Sequence, residues 1–124
     1  MKEHSDILKE YNKFLADNSS SKEPLNLYEP ISYLMGLGGK RMRPVAALLA
    51  YSSFRVIDEK ALRLAHAVEL FHNFTLMHDD IMDDAPLRRG KETVHEKWDT
   101  PTAILSGDMM LIHAYKDLSK AIDT

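Results

Sequence analysis

Four aspartates crowd into six residues at Asp79-Asp80-Ile81-Met82-Asp83-Asp84. On a helix turning ~100° per residue, Asp79 and Asp83 differ by ~40°, and His72 falls within ~20° of Asp79. These three side chains therefore share one face. Carboxylates one turn apart are hard oxygen donors of the kind Mg²⁺ takes, with water and substrate phosphates completing its shell. The run also falls toward a helix C-terminus, where the macrodipole disfavours anions, and a bound cation would offset that repulsion. The plainer reading is an acidic, solvated helix end. A calcium EF-hand is excluded, because Ile81 stands where the second ligand belongs. The histidines lack the HExxH spacing of a zinc protease.

Two basic clusters flank this run. Gly38-Gly39-Lys40-Arg41-Met42-Arg43-Pro44 places three cations in four residues after a glycine pair. Such a turn, followed by a helix, can hold a phosphate or diphosphate by charge and by backbone amides. It is not a P-loop, since Arg41 stands where serine or threonine is required and Leu34 where the first glycine belongs. An ordinary basic interhelical turn is the alternative. The second cluster, Arg88-Arg89-Gly90-Lys91, begins five residues past Asp83. Read alone, it is a surface loop that neutralises nearby aspartates. One mechanism accounts for all three clusters: acidic residues hold metal, the metal holds one diphosphate, and separate cations hold a second anion.

The elements that must position these groups read as helices. Ile7, Leu8, Tyr11, Phe14 and Leu15 mark one helical face, broken at the polar Asn18-Ser19-Ser20-Ser21. A short helix is expected from near Pro30 to Gly36, then a flexible Leu37-Gly38-Gly39 turn. A third helix follows Pro44; Val45 to Tyr51 is apolar nearly all round, which predicts a buried helix. Asp58 is the expected N-cap of the longest helix, which runs toward Asp83 and stops before Pro86. Ala85 to Thr93 reads as a basic loop and Val94 to Trp98 as a helical turn. Thr100-Pro101 reads as an N-cap and first-position proline opening a last helix. No segment of strand length alternates with β-branched enrichment, so the expected class is all-α.

Composition bounds the rest. With 124 residues at 14.2 kDa, 44% apolar and 28% charged, the chain has one domain's length and an ordinary globular balance. The longest uncharged stretch, Pro44 to Phe54, is too short to span a bilayer, and without a basic start followed by an apolar run no secretory signal is expected. Nineteen acidic against sixteen basic residues give a net charge of −3, so no general attraction to nucleic acid is expected. The absence of cysteine removes disulfides, thiol nucleophiles and cysteine–zinc sites, and fits a reducing, cytoplasmic compartment.

The three clusters together resemble the trans-isoprenyl diphosphate synthases, or polyprenyl synthetases. Gly38 to Pro44 is similar to that family's GGKRxRP motif, and Asp79-Asp80-Ile81-Met82-Asp83 to its first aspartate-rich DDxxD motif. Arg88-Arg89-Gly90 follows at the expected distance, and His72 and Ser106-Gly107-Asp108 also match. The resemblance implies an antiparallel helical bundle like the N-terminal part of the isoprenoid synthase fold. It implies that Lys40, Arg43, His72 and Arg89 bind isopentenyl diphosphate. It further implies that Asp79 and Asp83 ligate Mg²⁺ bridging to an allylic diphosphate, with Arg88 on the same group. The implied reaction is head-to-tail elongation: the allylic C–O bond ionises, the isopentenyl double bond attacks the cation, and proton loss restores an alkene. A homodimer is the implied assembly.

In that family, bulk just upstream of the first aspartate-rich motif forms a floor under the chain growing in its channel. The resemblance of Phe74, an aromatic five residues before the motif with no insertion inside it, implies a geranylgeranyl-type C20 product. By helical geometry Thr75 lies ~6 Å below Asp79 and nearly on its face, while Phe74 lies ~7.5 Å below but rotated by ~140°. Phe74 would then flank the channel; its alternative is a core aromatic packed on Leu70 and His78. Family members are more than twice this length, and nothing after Asp84 repeats DDxxD. Residues 1–124 therefore read as the N-terminal part of one all-helical synthase domain, inactive alone. Two other readings stay open: a non-catalytic helical subunit that pairs with a complete synthase, and a class I terpene cyclase. The Lys40–Arg43 turn weighs against the cyclase, which has no second diphosphate substrate to hold.

Overall fold

The computed structural model describes residues 3–18 and 24–122, and among them six helices and one very short hairpin. The class is all-α, as expected. The helices are α1 (His4–Asn18), α2 (Leu25–Gly36), α3 (Met42–Ser52), α4 (Glu59–Met82), α5 (Val94–Lys97) and α6 (Thr100–Ile122). Strands β1 (Leu87–Arg88) and β2 (Lys91–Glu92) lie between α4 and α5. Ser19 to Ser21 of the expected polar break lie outside the described residues. The chain divides into two compact units, one holding α1, Lys40–Leu70 and the chain from His113, the other the α2 segment to Gly39 and Phe71–Ile112.

The first unit is built on the face that the α1 periodicity marks. Ile7 and Tyr11 pack with Val45, Leu48, Ile57, Ala61 and Ala65, and Leu8, Leu15, Leu49, Tyr51 and Leu62 close around them. Helix α3 is not buried all round: Ala46 and Ala50 face solvent and Met42 is largely exposed. It begins at Met42 rather than after Pro44, so Pro44 occupies the third helical position. No intrahelical partner awaits its missing N–H there. Asp58 caps α4 as expected, its Oδ1 accepting from the Ala61 amide at 2.9 Å. That bond holds the Asp58 carboxyl below its usual range.

The second unit corrects three boundaries. Helix α2 starts at Leu25, five residues before the expected start, and carries Pro30 inside it. Only one helical bond is lost to Pro30, and the buried Pro30, Leu34 and Met35 offset it. At α6 the cap is Asp99, whose Oδ1 accepts from the Thr102 amide at 2.7 Å. Thr100 and Pro101 are thus the first two helical residues, one step from the expected frame. The loop expected from Ala85 to Thr93 contains the β1–β2 hairpin, with Leu87 opposite Glu92 and Arg88 opposite Lys91. Its two-residue turn, Arg89-Gly90, has φ of 53° and 76°, the left-handed pair that a tight hairpin demands. Two residues per strand are too few to leave an alternation in the sequence.

Candidate functional site

Helix α4 buries a stripe at Ala61, Ala65, Glu69, Asn73, Met77 and Asp80, a spacing of four, four, four, four and three that keeps one side inward. Asp80 lies on that stripe, whereas Asp79 and Asp83 do not; both are exposed. They are one turn apart, the Asp83 amide bonding the Asp79 carbonyl at 2.9 Å. Among the described residues neither carboxylate is committed to a hydrogen bond or ion pair. Two exposed carboxylates with every lone pair available are a donor set that fits Mg²⁺.

Asp80 has a different task. It receives Arg88 in a fork, Nε at 2.7 Å on one oxygen and an Nη at 2.8 Å on the other. Those bonds hold the guanidinium more firmly protonated than usual. Arg88 therefore does what the plainer reading of its loop required, neutralising an aspartate, and it does so beside Asp79. The helix end itself is closed by a paired wrap. The Ala85 amide reaches the Asp80 carbonyl at 2.9 Å and the Asp84 amide reaches Ile81 at 3.1 Å, with Asp84 left-handed at φ 50°. Two of the four aspartates thus leave the helix, and a third is paired, which relieves the repulsion foreseen at that terminus.

The second basic segment meets the glycine turn. Gly39 has φ of 133°, and a Cβ there would lie 2.9 Å from Nη2 of Arg89. Only glycine lets the Arg89 guanidinium come this close to the backbone. Two stretches read as separate clusters, Gly38-Gly39 and Arg88 to Lys91, therefore converge. The turn offers two exposed cations, Lys40 and Arg43, rather than three. Arg41 is instead buried and bonded to Glu69 at 2.7 Å, with both side chains almost wholly out of solvent. It caps α3 from a left-handed conformation, φ 53°. Of the four residues assigned to isopentenyl diphosphate, Lys40 and Arg43 lie in the first unit, His72 and Arg89 in the second.

The residues assigned to chain length sit on α4. The Thr75 hydroxyl bonds back to the His72 carbonyl at 2.6 Å, so its methyl rather than its hydroxyl is turned outward from the helix backbone. Phe74 stands edge-on to His78 with ring centroids 4.8 Å apart, and tilted to Phe71 at 5.8 Å. His78 in turn lies against Gly107 of α6, where a Cβ would collide with its ring, and its Nε2 is 3.2 Å from the Ile104 carbonyl. The Ser106-Gly107-Asp108 triplet thus has three separate functions. Ser106 bonds the Leu27 carbonyl at 2.6 Å, Gly107 makes room for His78, and Asp108 comes within 3.8 Å of the same ring. Glu69 and Gly107 carried no signal of these roles in sequence. Their partners, Arg41 and His78, lie 28 and 29 positions away, beyond the reach of any local pattern.

A family model described as polyprenyl synthetase matches residues 24–124. A geranylgeranyl pyrophosphate synthase of Geoglobus acetivorans is 41% identical over 93% of this chain and 37% of its own length. A geranylgeranyl diphosphate synthase of Methanosarcina mazei is 47% identical over 78% of the chain and 30% of its own length. A crystal structure of a geranylgeranyl pyrophosphate synthase superposes with a TM-score of 0.92 at 47% identity, covering 97% of this chain and 37% of that one. The chain therefore spans about a third of the length of these proteins. The match includes the glycine turn, the exposed Asp79–Asp83 pair and the Arg88–Arg89 hairpin alike, and the chain belongs to the polyprenyl synthetase family.

Proposed function

We propose that residues 1–124 are the N-terminal part of a single all-helical prenyltransferase domain. The reaction is head-to-tail condensation of isopentenyl diphosphate with an allylic diphosphate, in isoprenoid biosynthesis. The observation that carries this reading is the division of labour at the end of α4. Asp79 and Asp83 stay exposed and uncommitted, while Asp80 between them is spent on fixing Arg88. A surface acidic patch has no reason to sort its carboxylates in this way.

Asp79 and Asp83 would hold Mg²⁺, which when bound supplies positive charge to a departing diphosphate. The chain's own residues do the rest. Asp80 fixes Arg88 by two bonds, so that its guanidinium is oriented before a substrate arrives. Preorganised charge of this kind lowers a barrier most when it faces the atom on which charge develops, here the leaving oxygen of the allylic diphosphate. Lys40, Arg43, His72 and Arg89 are assigned to the isopentenyl diphosphate. Gly39 sets the position of Arg89 in that group. The apolar residues of α4 below the acidic rim keep water from an allylic cation. Phe74, held by His78 and Phe71, is the proposed limit on chain length, with a geranylgeranyl-type C20 product. The working protein is proposed to be a cytoplasmic homodimer; no helix among the described residues is long and apolar enough to cross a membrane.

The test is turnover of isopentenyl diphosphate with an allylic primer by the full-length protein. Asp79→Ala is expected to abolish turnover, whereas Lys40→Ala and Arg43→Ala raise KM for isopentenyl diphosphate more than for the primer. Near-normal turnover by Asp79→Ala would undo the metal assignment. Equal effects of the lysine and arginine variants on both KM values would undo the two-site division.

A further inference from the structure

His95, on the short α5, is the one buried side chain among the described residues with both polar atoms unsatisfied. Its side chain is only 6% exposed, and neither Nδ1 nor Nε2 has a hydrogen-bond partner. A buried imidazole left in this state bears the desolvation cost of both ring nitrogens without a compensating bond. Yet Nε2 is not pointed at hydrocarbon. It lies 4.0 Å from Oδ1 of Asp84 and 4.0 Å from Oε1 of Glu96. One donor atom from each of the three residues fits within a 4.8 Å span. The separation is too long for a hydrogen bond and close to that of two ligands around one ion.

We propose that Asp84, His95 and Glu96 form a second cation site, distinct from Asp79 and Asp83, that takes a divalent transition-metal ion, Zn²⁺ by preference. An imidazole with two carboxylates is a borderline donor set, which suits Zn²⁺ better than the all-oxygen preference of Mg²⁺. Zinc holds nitrogen and oxygen ligands at ~2.0–2.2 Å, so its tetrahedral donors stand ~3.3–3.5 Å apart. The 4.0 Å separations therefore need to close by roughly half an ångström. The carboxylates are free to make that movement: the Asp84 side chain is 93% exposed and that of Glu96 46%. Nε2 becomes the ligand, Nδ1 keeps the ring proton, and water takes the remaining position.

Backbone geometry already fixes the two ends of the site. The helix-closing wrap places Asp84, and Thr93 anchors the start of α5 through bonds to Pro86 and Ala85 at 3.1 and 2.8 Å. Between these ends runs the hairpin that carries Arg88 and Arg89. A metal at Asp84, His95 and Glu96 would close that loop at its base and stiffen both arginines. The inference stands independently of the proposed reaction.

The experiment uses the full-length protein, stripped of metal, returned to excess Mg²⁺ and titrated with Co²⁺ as a spectroscopic stand-in for Zn²⁺. One equivalent is expected to bind with visible ligand-field bands, and added Zn²⁺ to displace it. Affinity should fall about tenfold or more in Asp84→Asn and in His95→Gln, and stay unchanged in Asp79→Asn. Asp84 is exposed, so its variant folds even if the histidine variant does not. ¹⁵N spectra of the imidazole should move at Nε2 on adding Zn²⁺. Absence of Co²⁺ binding in excess Mg²⁺, undiminished binding in Asp84→Asn, or loss of the bands in Asp79→Asn would each overturn the proposal. So would an Nε2 that stays protonated and unmoved when Zn²⁺ is added.

Discussion

Gly39 holds φ at 133° with the Arg89 guanidinium against it, a conformation and a clearance that only a residue without Cβ supplies. Gly39→Ala is expected to destabilise the protein by about 1–3 kcal/mol, the usual scale for backbone strain of this kind. It should also displace Arg89, since the flexible guanidinium yields before the backbone does. In the full-length protein KM for isopentenyl diphosphate should then rise severalfold, while KM for the allylic primer hardly moves. Unchanged kinetics with lowered stability would mean that Arg89 is not a substrate ligand. Phe74 offers a second residue-level test. Its ring is held on two sides by His78 and Phe71, so Phe74→Ala removes an aromatic whose neighbours cannot readily fill the space. If the ring limits the growing chain, chromatography of the products should show a longer main prenyl diphosphate. An unchanged distribution would leave Phe74 as a core aromatic, the role its contact with His78 equally serves.

Among the elements, α1 and α4 are joined by a polar tie inside an apolar core. The Tyr11 hydroxyl meets Nδ1 of His66 at 3.1 Å, and Phe14 stands edge-on to the same ring at 5.7 Å. Burial pushes the His66 pKa below its ordinary 6.5; Arg41 and Arg63 push the same way, against Asp117 and Glu69. Burial likewise raises the Tyr11 phenol far above its usual range. The neutral imidazole can accept from Tyr11; a proton on Nδ1 would reverse that bond and leave a charged ring buried in the core. With the folded pKa depressed, the unfolded chain takes up the proton first. Stability from this group is therefore fully present above pH 6.5 and is lost as pH falls toward the folded pKa. Urea midpoints measured on either side of pH 6.5 should drop on acidification, and drop less in His66→Gln. Equal drops would place the acid sensitivity elsewhere. The helical periodicity of α1 and the Asp58 cap that opens α4 were legible because each is a local pattern of neighbouring residues. The start of α2, the cap of α6 and the hairpin were not. Pro30 is tolerated inside a helix that tertiary burial supports, Asp99 and Thr100 are both good caps, and Arg89-Gly90 reads as a turn with or without strands. At the site, the spacing of Asp79 and Asp83 and the pairing of the Arg88 loop with a nearby aspartate were legible, whereas the bond of Arg41 to Glu69 depends on packing between residues 28 positions apart.

For the whole molecule, the decisive observation is apolar surface that these helices leave in water. In the second unit Phe71, Ile104, Leu105 and Ile112 are exposed on α4 and α6, and in the first Tyr115 and Ile122 are exposed on α6. Single exposed apolar residues are ordinary, but several along the length of one helix make a surface that favours association. The curated relatives extend far beyond the 37% and 30% of their lengths that this chain matches, so in proteins of that length further chain is available to cover such faces. Expressed as 124 residues, the chain is expected to form concentration-dependent oligomers and to show no turnover. A substrate gripped only by these residues lacks whatever charge the longer proteins add. Light scattering across a dilution series, with the isopentenyl diphosphate assay on the same samples, checks both statements. Replacing Leu105 and Ile112 together by glutamine should shift the population toward monomer without disturbing the core, because neither side chain is buried. A 124-residue monomer that turns over substrate would show that the exposed faces need no cover and that Asp79, Asp83 and the two basic clusters suffice.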